Sequence, residues 1–244
     1  MFKFVGKSKS YINFAAKTKI AAIMVQITSN YKRILDKIPS HVKLVAISKN
    51  KTVDEILKLY NAGQQTFGES KAQELQPKYE KLPDDIKWHM VGHLQRNKVK
   101  YIAPFVDMIE SVDSLKLLKE IDKEATKNNR VIKCLLQMHI AEEETKFGLS
   151  EEDLIRIFDS NDFKQMENVY VMGLMGMATF TDNEEQVRKE FKALKSTFDK
   201  LKDKYFKSNG TFSEISMGMS NDYQIGIEEG STMVRIGTAL FGER

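Results

Sequence analysis

The chain is expected to fold as a single α/β domain, a (β/α)8 TIM barrel preceded by an N-terminal helix and a basic leader. Three observations predict this. From residue 25 onward, short β-rich runs alternate with amphipathic helical stretches. Eight such runs fit into about 220 residues, the count and length of one closed barrel. No Gly-x-Gly-x-x-Gly loop follows the first strand, where an open doubly wound sheet would usually carry its phosphate loop.

The leading helix is expected from about Ser29 to Ile38 and ends at Pro39. Lys43 to Ser48 is apolar and β-branched, the mark of a buried parallel strand. Thr52-Val-Asp-Glu55 is a capping box opening a helix with Ile56, Leu57 and Tyr60 on one face, and Gly63 stops it. Thr66 to Glu69 is the second strand, followed by a helix through Leu75 and Tyr79. The third strand spans Trp88 to Leu94, and a short helix leads from it to Pro104. The fourth is Met108 to Val112; Ser114 caps the next helix, whose apolar face holds Leu117, Leu118 and Ile121. Val131 to Ile140 is the fifth, with Ser150 and Asp153 capping the helix beyond it. Val169 to Ala178 is the sixth. Its helix carries the clearest stripe, Val187, Phe191, Leu194, Phe198 and Leu201, at spacings of 4, 3, 4 and 3. Phe212 to Met217 and Met233 to Phe241 complete the set, with a short helix near Asp222–Glu229 between them.

Hydrophobic residues at 41% and charged residues at 30% suffice for a sizeable core and argue against a largely disordered chain. No apolar run approaches the roughly 20 residues of a membrane span. The one cysteine, Cys134, excludes an intramolecular disulfide framework and any multi-cysteine metal site, and a reducing, cytoplasmic compartment fits. The net charge of +4 says little about the folded body, because residues 1–23 hold five lysines and no acid. A nucleic-acid-binding protein should instead show a basic stripe across its fold. Residues 1–23 are expected to be a dispensable extension, with a weak targeting segment or an upstream start before Met24 as the alternatives, and residues 24–244 the barrel.

Such barrels carry their chemistry at the C-terminal ends of the strands. Those positions are Lys49, Glu69 and Ser70, His93 and Gln95, Met175 and Gly176, Ser216 to Ser220, and Arg235 to Thr238. A lysine at a strand mouth would point into a partly desolvated cavity. Burial disfavours its charge and frees the amine to attack a carbonyl, and Lys51 could add like-charge repulsion. Ser216-Met-Gly-Met-Ser220 and Gly237-Thr238 lie where this fold commonly holds phosphate, beside a short helix whose first amides face an anion. Arg235 sits inside an apolar strand, so it must meet either a buried carboxylate or a ligand acceptor. His41, His89, His93 and His139 lack the spacing of a zinc helix, so no metal site is expected. Met172, Met175, Met177, Met217 and Met219 cluster near strand ends, as gap-filling core or as the lining of a flat ring. Cys134, in mid-strand, reads as a small buried apolar residue.

Leu44-Val-Ala-Ile-Ser-Lys49, Phe67-Gly-Glu69, Trp88-His89 with Gly92-His-Leu-Gln95, Gly173-Leu-Met175, Ser216-Met-Gly-Met-Ser220 and Gly230-Ser-Thr-Met-Val-Arg-Ile-Gly-Thr238 occur in that order. Together they closely resemble the YggS/PROSC family of pyridoxal-phosphate homeostasis proteins, from about residue 25 to the C-terminus. The resemblance implies a fold type III barrel, like the N-terminal domain of alanine racemase, that binds pyridoxal 5′-phosphate (PLP). It implies that Lys49 forms the covalent Schiff base, an internal aldimine. Ser216, Met217 and Ser220, with Gly237 and Thr238, would hold the phosphate; Arg235 would face the pyridine nitrogen and Met175 would adjoin the cofactor. Lys146, in Thr-Lys-Phe-Gly148, would be a further lysine in PLP handling. Ser70 stands where the family usually has asparagine, and Thr52 where it commonly has proline.

An arginine opposite the ring nitrogen disfavours its protonation and weakens the cofactor as an electron sink. Racemases of this barrel type also take a tyrosine from a β-rich second domain, which is not expected here, and no second acid or base is evident in the sequence. The expected function is a PLP-binding protein of intracellular vitamin B6 homeostasis without catalytic turnover. PLP-dependent apo-enzymes are candidate acceptors, a monomer or weak dimer is the expected state, and neither nucleic acid nor membrane is an expected partner. The alternative is a PLP-dependent amino-acid racemase or lyase. An enzyme of another phosphorylated metabolite, or an interaction scaffold, makes a third class.

Overall fold

A computed structural model describes residues 25–143, 147–207 and 210–242. Eight parallel strands close on themselves in sequence order: β1 Lys43–Ile47, β2 Thr66–Glu69, β3 Lys87–Met90, β4 Met108–Val112, β5 Ile132–Met138, β6 Val169–Gly176, β7 Glu214–Ser216 and β8 Met233–Ile236. Helix α1 covers 25–35. Then come α2 Val53–Asn61, α3 Ala72–Tyr79, α4 Val99–Ile102, α5 Leu115–Lys127, α6 Glu151–Asp159, α7 Asn161–Lys164, α8 Glu184–Tyr205, α9 Tyr223–Glu228 and α10 Thr238–Phe241. The predicted barrel is the observed one. Among the described residues, no helix is long and apolar enough to cross a membrane.

Strand alternation sorts the side chains into two cores. Leu44, Ala46, Phe67, Trp88, Cys134, Ile215 and Val234 face outward and pack under the helices. The α8 stripe from Val187 to Leu201 is buried against this layer, as its spacing predicts. Val45, Met108, Leu135, Met175 and Met233 face inward and fill the barrel. Gly173 lets β6 and β7 come this close: a Cβ there would lie 1.7 Å from the Glu214 carbonyl oxygen.

The caps fall where the sequence places them. Thr52 and Glu55 form a complete capping box, as do Ser150 and Asp153, and Ser114 accepts from the Leu117 amide. Strand ends differ more. β3 stops at Met90, so Val91 to Leu94 becomes mouth loop rather than strand. β8 stops at Ile236; Gly237 turns the chain, and its carbonyl accepts from the amides of Leu240 and Phe241, winding Thr238–Phe241 into α10. Helix α1 ends at residue 35 instead of running to Ile38, the last residues forming turns on Ile34 and Leu35. Helix α7 was not expected; Ser160 ends α6 and caps α7 with the same hydroxyl, which accepts from the Phe163 amide.

Candidate functional site at the barrel mouth

Two adjoining cavities open at the C-terminal end of the barrel and share Ile47, Met219 and Arg235. One, of about 300 Å³, lies between Ser70, His93, Gln137 and Phe147. The other, of about 250 Å³, lies between Ser220, Asn221, Gly237 and Thr238. A flat ring with an anionic tail has one chamber for each part.

The second chamber is rich in donors. The Ser220 hydroxyl oxygen accepts from the amides of Gly237 (3.2 Å) and Ala239 (3.4 Å). The amides of Ser220, Asn221 and Thr238 donate to no protein acceptor among the described residues. Unpaired amides at a cavity wall suit an anion. The loop that presents them is firmly seated. Gly218, at φ +96°, leaves no room for a Cβ, which would lie 2.8 Å from the Tyr223 Cα, and the Gly218 carbonyl accepts from the Arg235 amide at 2.9 Å. Arg188 on α8 grips Glu228 and Glu229 at the end of α9, at 2.6 and 2.5 Å. The donors come from two loops rather than from the dipole of a long helix, since α9 has only six residues.

Arg235 is buried at the junction of the chambers. Its guanidinium donates to the Ser216 hydroxyl (2.6 Å) and to the Gly176 carbonyl (2.8 Å), with the Glu110 carboxylate 3.9 Å away. Of the two sequence alternatives for this arginine, the structure shows the buried carboxylate, and the residue also lines the cavity. The polar chain continues into the barrel. Ser216 donates to Glu110 at 2.6 Å, Glu110 meets His89 Nδ1 at 2.6 Å, and His89 Nε2 lies 3.7 Å from Asp107, which pairs with Lys133. Burial opposes charge on His89, but the hydrogen bonds to Asp107 and Glu110 prevail and raise its pKa. Burial likewise opposes ionisation of Glu110, and its bond to His89 with the nearby Arg235 keeps its pKa below the usual range. Burial lowers the pKa of Arg235, opposed by Glu110 and Asp222.

The structure places the remaining predicted residues unevenly. Lys49 lies in the turn directly after β1, as expected, but its side chain is exposed rather than desolvated and lines neither chamber. The buried lysine beneath that turn is Lys78, whose ammonium donates to the Ser48 carbonyl at 2.7 Å and pairs with Glu69. Ser48 also donates to Glu69 at 2.9 Å, and the Asn50 amide donates to Glu74 at 3.2 Å, so the Lys49 turn stands on a fixed base. Lys51 is paired with Glu55 at 3.6 Å and sits over the Phe241 ring, so its charge is matched rather than set against Lys49.

Three phosphate or ring assignments need correction. Ser216 is fully buried in β7 and its hydroxyl is committed to Glu110 and Arg235; it supports the arginine. Met217 points into the outer core and its amide bonds to Met233, leaving nothing for an anion. Met175 faces the barrel interior below the mouth, and Met177 and Met219 line the chamber in its place. Ser220, Gly237, Thr238 and Arg235 do come together. Lys146 and residues 1–23 lie outside the described residues.

His93 is among the expected strand-end positions, but its partner is not. His93 Nδ1 lies 2.9 Å from the Asp113 carboxylate, and its ring stacks on Phe147 at 4.2 Å and 17°. An acid–base group thus stands at the mouth, contrary to the expectation of none. Asp113 follows β4 directly, and Gln137, which holds the Phe147 carbonyl at 2.8 Å, closes the inner side of β5. Applying the strand-end rule to β4 finds Asp113; Gln137 lies inside the predicted fifth strand and is not found that way.

Comparison with known proteins agrees on the fold and gives the family. The alanine racemase N-terminal domain family model matches residues 24–244. A protein of Aquifex aeolicus named pyridoxal phosphate homeostasis protein is 43% identical over 203 residues, covering 83% of this chain and 87% of its own length. PipY of Synechococcus elongatus, solved with PLP bound, superposes with a TM-score of 0.81 at 32% identity, covering 89% of this chain and 100% of PipY. Alanine racemase from Bartonella henselae shares the fold at 15% identity and a TM-score of 0.69, covering 91% of this chain and 63% of its own.

Proposed function

The chain belongs to the alanine racemase N-terminal-domain family and, within it, to the pyridoxal phosphate homeostasis proteins, and from that premise we propose that it holds PLP at the barrel mouth as a carrier rather than as an enzyme. The donor set fits the cofactor: unpaired amides of Ser220, Asn221 and Thr238 suit the phosphate, and the apolar chamber beside Arg235 suits the ring. That pairing of anion cradle and ring chamber across one buried guanidinium carries the proposal. Bound there, the cofactor supplies an aldehyde that captures a primary amine reversibly.

The protein's own groups do the rest. Arg235, immobilised by Ser216, Gly176 and Glu110, sets a positive charge against the ring nitrogen and opposes its protonation, so the ring is a poor sink for carbanion electrons. Lys49 supplies the amine from its turn. Its exposure leaves it free to reach the chamber or to release what it carries. Lys146 would serve as a further lysine in PLP handling. Cytoplasmic placement, PLP-dependent apo-enzymes as acceptors and a monomer or weak dimer belong to the same reading. Cys134 is buried and burial raises its pKa, so it takes no part in this chemistry.

The test is borohydride reduction of PLP-loaded protein followed by peptide mass spectrometry. A pyridoxyl group on Lys49 is expected. Lys49→Ala should lose the covalent label while keeping reversible uptake, because the phosphate cradle is separate. A variant without residues 1–23 should take up PLP like the full chain. Label solely on another lysine would overturn the Lys49 assignment, and failure to take up PLP would overturn the function. Solvent-deuterium exchange at the α-carbon of any amino acid, at enzymatic rates, would favour the racemase or lyase alternative.

A further inference from the structure

The mouth holds a pair of groups that mere retention of a ligand does not require. His93 is fixed on two sides, by Asp113 at Nδ1 (2.9 Å) and by the Phe147 ring stacked against its face. A carboxylate accepts, so Nδ1 carries the proton, and in the neutral ring Nε2 is left with a lone pair. Nε2 has no hydrogen-bond partner among the described residues. The same ring lines the 300 Å³ chamber with Ser70, Gln137 and Arg235. A carboxylate-oriented histidine with its free nitrogen beside a ligand cavity is the arrangement of a general acid–base catalyst.

Resting on the PLP-binding reading above, we propose that His93 is the proton-transfer residue for exchanging the cofactor from Lys49 to an incoming primary amine, with Asp113 as its positioning residue. At neutral pH an alkyl amine arrives as an ammonium and cannot attack. His93 Nε2 removes a proton, and the freed lone pair forms the new bond from nitrogen to the aldehyde carbon. Both bonds from that carbon to the Lys49 nitrogen break, their electron pairs staying on the lysine, while the incoming nitrogen forms two bonds to the same carbon. Three protons pass in all from the incoming ammonium nitrogen to that of Lys49, which leaves as an ammonium, His93 carrying one at a time. No electrons are gained or lost, and the amine is the only co-reactant. Ile47, two residues before Lys49, lines the same chamber as His93, and Lys49 stands exposed beyond it, so its side chain must turn inward for the exchange.

Two amines separate this role from a packing role. Methylamine is a cation at neutral pH and needs deprotonation; methoxyamine is already neutral and does not. Loaded protein is challenged with each, and the loss of borohydride-fixable label from Lys49 is timed. His93→Gln should slow methylamine exchange on the order of 10²-fold and methoxyamine exchange only a few-fold. Asp113→Asn should show the same asymmetry, more weakly. Equal slowing with both amines, or no slowing with either, would overturn the proposal. A second measurement uses unloaded protein: long-range proton–nitrogen spectra should report Nε2 as the bare nitrogen of neutral His93, and a mixture of tautomers after Asp113→Asn. A bare Nδ1 in the wild type would overturn the dyad. Failure of PLP uptake would remove the functional reading itself, whereas normal uptake with symmetric slowing removes this inference alone.

Discussion

At the scale of single residues, the deepest constraint is the charge chain inside the barrel. Glu110 stands between His89 and the Ser216–Arg235 pair, all buried. Replacing it by glutamine takes the carboxylate from the Ser216–Arg235 pair and leaves His89 with Asp107 at 3.7 Å, and breaking a buried pair in this way costs about 3–5 kcal/mol. Glu110→Gln should therefore unfold at markedly lower urea. The pH dependence has a definite sign. His89 has its pKa raised by Asp107 and Glu110 against the cost of burial. Its contribution is fully present below the unfolded histidine value, near 6.5, and is lost as pH rises through the higher folded value. Glu110 and Asp107, both depressed, contribute above the unfolded carboxylate values and lose that contribution as pH falls through the folded ones. Urea midpoints should thus decline on the alkaline side in the wild type, and that limb should vanish in His89→Gln. An unchanged alkaline limb in the variant would show that His89 is not its source. The sequence revealed that Arg235 needs a partner. It could not reveal Glu110, because the contact joins β4 to β8 and no local pattern encodes it.

At the scale of elements, legibility follows the range of the interaction. The capping boxes at Thr52 and Ser150 and the α8 stripe depend on residues within one or two turns, and each was readable. The ends of β3 and β8 depend on pairing with neighbours and were read too long. The fate of Lys49 shows the same limit. Its place after β1 was legible from the hydrophobic run, but its exposure was not, because Lys78 from α3 takes the buried position below. The cap of α2 offers a test of a locally encoded element. The Thr52 side chain satisfies the Glu55 amide, and Glu55 reaches back to the Thr52 amide at 2.8 Å. Thr52→Ala should cost about 1 kcal/mol, read as a lower urea midpoint at unchanged slope. Ser114→Ala on α5, which has the one-sided cap, should cost a similar or smaller amount.

At the scale of the whole molecule, site and barrel are one object. Arg235 is held by Gly176 at the end of β6 and by Ser216 at the end of β7, so the spacing of these two strands sets the guanidinium's position. Gly173 governs that spacing, since an added Cβ would fall 1.7 Å from the Glu214 carbonyl oxygen, a backbone atom that cannot swing aside. Gly173→Ala must therefore push β6 from β7 along the register that pairs Gly173 with Glu214 and Met175 with Ser216. Overpacking of this kind costs about 1–3 kcal/mol and more where backbone must move, so a loss at or above the top of that range is expected in urea unfolding. Any folded fraction should also bind PLP more weakly, because the displaced strands carry both acceptors of Arg235. Thr52→Ala provides the contrast: a modest stability loss far from those strands should leave PLP affinity intact. Equal affinity in Gly173→Ala and wild type would mean that the guanidinium is positioned independently of the β6–β7 contact.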